Sequence, residues 1–140
     1  MITQNLKFYV IAFYIAAVFQ LVAGQQKDKQ KERYIEVRGY VEMDMKPLPG
    51  AKAILYEGTN EVKSVMADNE GLFSFKLEPN KEYTIAVTRN GLITKKISFN
   101  TTLPDDEWGI WIREFAMVMV RPCEGVDYSL LEKPVDIIKY

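Results

Sequence analysis

The chain has 140 residues, 48% of them hydrophobic and 26% charged, a length that supports one small domain around one core. Its 18 basic and 19 acidic residues nearly balance, and without the Lys and Arg excess that neutralises phosphates a nucleic-acid partner is excluded. There is no histidine, which removes histidine metal sites, Ser-His and Cys-His nucleophile pairs and histidine general bases.

Residues 8–24 form an uncharged apolar run that follows Lys7 and ends in Val22-Ala23-Gly24, small residues where a signal peptidase cuts. Residues 1–24 therefore read as a secretory signal. The alternative is an uncleaved signal anchor, since a run of about 17 residues is at the short end of what spans a bilayer. No Cys follows the run, so no lipid anchor is expected, and membrane contact would come only through a retained signal. The expected location is outside the cytoplasm: periplasmic, associated with the outer membrane, or extracellular. Residues 25–33 (QQKDKQKER) hold no apolar side chain and read as a charged, solvated tether.

From Tyr34 the hydrophobic period is two. Val37, Gly39, Val41 and Met43 alternate with Glu36, Arg38, Tyr40 and Glu42, the pattern of a half-buried strand. Residues 46–50, with Pro47, Pro49 and Gly50, mark a loop. Strands are expected at 51–57 and 62–67, then at 72–77, where Phe73, Phe75 and Leu77 share one face. The turn before that last strand, Asp68-Asn69-Glu70-Gly71, is acidic enough to suggest a metal loop. A calcium loop needs about six oxygen ligands over a dozen residues, whereas Leu72, Phe73 and Ser74 follow Gly71, so the tetrad reads as a structural turn with Asp68 accepting backbone amides and Gly71 supplying positive φ. Tyr83, Ile85 and Val87 form the next strand, Asn90-Gly91 signals a hairpin with both residues suited to positive φ, and residues 92–100 return. After a polar loop a long strand spans about 110–120, with Phe115, Met117 and Met119 alternating with Glu114, Ala116 and Val118.

The period and the turn at each joint predict an all-β fold, an antiparallel β-sandwich of about seven strands over residues 34–121. Residues 122–140 form a tail with one helical turn at 129–132 and a final apolar stretch containing Val135, Ile137 and Ile138. Cys123 has no disulfide partner in the chain and is expected to pack as a small hydrophobe.

The set Val37-x-Gly39-x-Val41, Pro47-Leu48-x-Gly50-Ala51-x-Ala53, Asp68-x-x-Gly71-x-Phe73-x-Phe75-x-Leu77, Tyr83-x-Ile85-x-Val87 and Gly91 resembles the carboxypeptidase regulatory-like domains, of transthyretin-like (prealbumin-like) sandwich fold, over about residues 35–100. The resemblance implies a seven-stranded antiparallel Greek-key β-sandwich used as a non-catalytic accessory module in exported peptidases, outer-membrane transporters and other cell-envelope proteins, with no shared ligand or cofactor. The enzymatic branch of that fold, hydrolysis of hydroxyisourate, relies on histidines that this chain lacks.

Two segments remain as candidate contacts. Trp108 and Trp111, with Asp105, Asp106 and Glu107 beside them, suit a sugar platform, a protein contact, or plain packing. Val135, Ile137 and Ile138 suit pairing with an edge strand of this domain or of a partner. The expected function is a non-enzymatic accessory or scaffold module of the bacterial cell envelope that binds a protein partner, with glycan binding through Trp108 and Trp111 as the alternative. N-terminal sequencing of the protein purified from its native host checks the first expectation: the mature chain begins at Gln25, and recovery of an intact Met1 form in the inner membrane would make residues 1–24 an anchor.

Overall fold

A computed structural model describes residues 31–139; the signal segment, most of the tether and Tyr140 lie outside the described residues. In chain order come β1 (Arg33–Met43), β2 (Lys46–Pro47), β3 (Lys52–Glu57), β4 (Asn60–Met66), β5 (Leu72–Leu77), β6 (Glu82–Thr88), β7 (Lys95–Asn100), β8 (Gly109–Val118), a 3-10 turn (Ser129–Glu132) and β9 (Ile137–Lys139). All seven expected strands form, and β2 and β9 add to them. One sheet has β1 at its centre, with β2 and β5 on one side and β8 on the other; the second runs β4-β3-β6-β7-β9.

Most pairings are antiparallel, but β1 pairs β8 in parallel, Arg33 with Gly109 through Glu42 with Val118, and β9 lies parallel to β7. A parallel pair needs a long crossover between its strands. Residues 44–108 supply it for the first pair by building β3, β4, β6 and β7 of the second sheet in between.

The inner faces follow the period of two. Ile35, Val37 and Val41 of β1 and Phe73, Phe75 and Leu77 of β5 meet Ala53 and Leu55 of β3, Tyr83, Ile85 and Val87 of β6, and Ile97 and Phe99 of β7. Phe115 of β8 joins the layers: its ring lies 5.6 Å from Phe99 across the core and 5.9 Å, edge-on, from Phe73 within its own sheet. Gly39 makes that possible. It sits in register between Phe73 and Phe115, and a Cβ there would run into the Phe73 ring.

The acidic tetrad is a turn in this geometry. One Asp68 carboxylate oxygen accepts the N–H groups of Glu70 (2.8 Å) and Leu72 (2.9 Å), and the Gly71 N–H donates to the Asp68 carbonyl at 3.0 Å. Gly71 has φ +75°, and an added Cβ would collide with the Val41 carbonyl oxygen. Gly91 has φ +77° but open space around it. Its turn is closed by the Leu92 N–H to the Arg89 carbonyl at 3.1 Å, and Asn90 does not share the positive φ. The return strand begins at Lys95 rather than 92, so this is a longer loop and not the two-residue hairpin expected.

Thr101, read in the sequence as polar loop, is fully buried. Its hydroxyl accepts the Lys81 N–H (2.9 Å) and lies within donating distance of the carbonyls of Glu78 (2.8 Å) and Lys81 (2.9 Å), pinning the end of β7 to the β5–β6 turn. Above this latch the Lys81 ammonium bridges Glu78 at 2.7 Å and Glu57 at 3.2 Å, and those two hydrogen bonds, Glu78 first, raise its pKa above the usual lysine value. The bridge is solvent-exposed and adds little stability.

Two expectations are corrected. Arg33 is not tether but the first residue of β1. Cys123 is exposed, not packed, because the chain beyond Met119 has left the core.

Two substitutions test these turns. Gly71→Val is expected to destabilise the domain by at least the roughly 1–3 kcal/mol of backbone strain, and by more than Gly91→Val, which meets no neighbour; urea unfolding of both reads the order, and added calcium leaves the melting temperature unchanged. Thr101→Val keeps the volume but strands the Lys81 N–H, and the same assay is expected to show a loss of about 1–3 kcal/mol.

Candidate interaction surface

A sandwich has four sheet edges, and unpaired backbone groups on each are templates for another strand unless something blocks them. Here β4 is guarded by exposed Glu61 and Lys63 and by an irregularity in its register with β3. On β5 the outward residues include Ser74 and Lys76. The tail covers β7: the Val135 N–H donates to the Lys96 carbonyl (2.8 Å), the Ser98 N–H to the Asp136 carbonyl (3.0 Å), and β9 continues the ladder to Asn100 and Lys139.

The fourth edge belongs to β8. The Met119 N–H donates to the Glu42 carbonyl, which sets the parity: odd-numbered residues of the strand bond to β1, and the main-chain groups of Ile110, Ile112, Glu114, Ala116 and Val118 point away from it. Among the described residues no strand pairs with that side. Its far end is closed where the Ile93 N–H meets the Val120 carbonyl at 3.0 Å.

The same residues form an apolar row on the outer face. Ile110 is 48% exposed, Ile112 50% and Val118 45%, each beside Tyr34, Glu36 and Glu42 of β1 in turn. Glu114 breaks the row and faces Arg38, which bonds Glu36 at 2.9 Å and lies 3.6 Å from Glu114. The Arg38 guanidinium is held above its ordinary pKa, chiefly by the hydrogen bond it donates to Glu36, and stays charged. Beside this pair lies a shallow depression of about 480 Å³ lined by Arg38, Tyr40, Leu72, Glu114 and Ala116. Arg113 falls on the same side of the strand as Trp111 and Phe115 yet is exposed, an inward-facing charge of the kind that limits indiscriminate strand pairing.

The sequence candidates divide around this edge. Trp111 is half-buried against the core, whereas Trp108, just before β8, is 56% exposed with the Arg33 guanidinium 6.0 Å from its ring centre. Burial on one and exposure on the other leave no flat tryptophan pair. Asp105, Asp106 and Glu107 are exposed in a turn closed by the Glu107 N–H to the Pro104 carbonyl at 3.2 Å, and Arg33 secures that loop by donating to the carbonyls of Leu103 (3.3 Å) and Pro104 (2.6 Å). Val135 and Ile137 are exposed and Ile138 packs on the core, but all three lie at the β7 edge of the other sheet. Asp68, Gly71, Asn90 and Gly91 lie in the turns described above. Among the described residues no three His, Cys, Asp or Glu side chains group as a metal ion requires. Sequence reasoning missed the β8 edge because Ile110, Ile112 and Val118 were read as strand without a partner to show which side stays open.

No protein-family model matches the chain, and no curated protein matches it. Solved structures do. The Bacillus anthracis TIE protein is similar at 20% identity and a TM-score of 0.52, over 64% of this chain and 18% of its own. A point mutant of Acinetobacter radioresistens catechol 1,2-dioxygenase gives 11% identity and a TM-score of 0.52, over 81% of this chain and 60% of its own. Klebsiella pneumoniae 5-hydroxyisourate hydrolase gives 12% identity and a TM-score of 0.42, over 66% of this chain and all of its own. This chain thus spans 60% or less of the first two. At these identities the likeness is one of fold: an all-β sandwich.

Proposed function

We propose that this chain is a non-enzymatic accessory or scaffold module of an exported bacterial cell-envelope protein, of the carboxypeptidase regulatory-like kind, and that it holds a protein partner along β8. The observation that carries this reading is the β8 edge, which offers outward main-chain groups over Ile110–Val118 together with an exposed apolar row, while β4 and β5 carry charged side chains and the second sheet ends beyond β7 in β9, only three residues long. Strand addition uses both features, main-chain bonds for affinity and alternate side chains for specificity. The non-enzymatic character rests on a sequence without histidine and on acids of which, among the described residues, none is buried. Export rests on residues 1–24. Glycan binding loses its support where Trp111 turns into the core.

Position-specific photo-crosslinking in the native cell tests it. A crosslinker at Ile112 is expected to capture one discrete protein, a crosslinker at Ser64 on β4 none, and Ile112→Lys to abolish capture from Ala116 while changing stability by less than about 0.5 kcal/mol. Equal capture from both strands, or none from β8, would overturn the reading.

A further inference from the structure

The tail is joined to the sandwich in a different way from every other segment. Of residues 121–139 none is fully buried; only Tyr128, Leu131 and Ile138 are half-buried, and of these Ile138 alone packs on the core. The 3-10 turn buries no residue and gains its order locally, from the Asp127 carboxylate accepting the Ser129 N–H (2.9 Å) and hydroxyl (3.1 Å). The rest of the attachment is polar and short: the exposed Arg121 guanidinium on the Asp44 carboxylate at 3.3 Å, Val135 and Asp136 to the β7 main chain, the three-residue β9 ladder, and the Lys96 ammonium on the Glu132 carbonyl at 2.9 Å. Few buried apolar contacts and solvent-exposed hydrogen bonds are the marks of a segment that opens below the global unfolding free energy.

Beneath it β7 is complete without the tail. The hydroxyls of Thr84 and Ser98 meet at 3.2 Å across a close pair of β6 and β7, so the amides of Ile97 and Phe99 belong to the β6 ladder and those facing the tail are Ser98 and Asn100. Opening the tail therefore bares an intact edge and leaves the sandwich standing.

We propose that residues 121–139 form a detachable strap over the β7 edge, and that the strand fitted to the bared edge is the same strap from a second copy of this chain. The occupant follows from the seat itself, which is shaped in register for Val135, Asp136 and Ile138, so a neighbour's strap can remake each bond. The link has the means to redirect the strap, with Pro122 after β8 and Gly125 in the left-handed conformation at φ +78°. Exchange of an identical element keeps the contacts and alters only the connection. This surface is separate from β8 and independent of the function proposed for it.

The test uses the full mature chain. Native-state hydrogen exchange is expected to release the Ser98 and Asn100 amides at least tenfold faster than Ile97 and Phe99. A locked form, S98C/I137C in a C123S background, joins two register partners by a disulfide when oxidised and is expected to abolish that difference. A fluorescent peptide copying residues 133–140 then serves as the second copy's strap: it binds the unlocked chain and not the oxidised one, and reduction restores binding. Uniform exchange across all four amides would overturn detachment. Peptide binding undiminished by the lock, or no binding to the unlocked chain while its strap demonstrably opens, would overturn the second copy as occupant.

Discussion

Everything distinctive about this sandwich depends on the parallel ladder between β1 and β8. It runs the length of both strands, from Arg33 with Gly109 to Glu42 with Val118, and it joins the first residue of the fold to the last strand of the sheet. β1 is paired with β5 on its other side, and among the described residues no strand pairs with the outer side of β8, which leaves β8 an edge. The register also places Phe115 beside Gly39, the one position on β1 where an aromatic ring from each neighbouring strand can fit. Packing and surface thus have one origin: the alternation that sends Phe115 and Met117 inward sends Ile112 and Val118 out.

The strands were legible because a half-buried strand writes its two faces into the sequence with a period of two. Phe73, Phe75 and Leu77 face the core as that period requires, and the Asp68–Gly71 turn and the 3-10 turn at 129–132 lie where their residues suggested. What the period does not contain is the neighbour. Parallel or antiparallel pairing is decided by crossovers tens of residues long, and the strand pattern of β8 is the same either way. Thr101 and Arg33 escaped for a related reason: a threonine after a strand and an arginine at the end of a charged run look solvated until their carbonyl partners, 20 and 70 residues away in sequence, are brought to them. Cys123 was misread by type, since cysteine is commonly buried but this one sits beyond the last core residue.

The two ends of the chain's last third are managed by opposite means. β8 keeps its apolar row in the open and carries Arg113 and Glu114 as its only charges, whereas β7, with polar Ser98 and Asn100 at its margin, is covered by the chain's own tail. A module built this way can present one edge and withhold another with little change in the core that joins them, because Ile138 is the one tail residue, among those described, that packs on that core.

The direction of the β1–β8 ladder also decides how the domain bears load. The chain enters β1 at Arg33 and leaves β8 at Val118, and in a parallel pair those points lie at opposite ends of the ladder. Tension between the flanking segments, once β9 has peeled away, pulls the two strands lengthwise past each other and stretches all their hydrogen bonds together. Antiparallel strands entered and left at the same end would instead come apart bond by bond, like a zip. A domain tethered through its first strand is therefore braced in shear along the axis on which such a tether would pull.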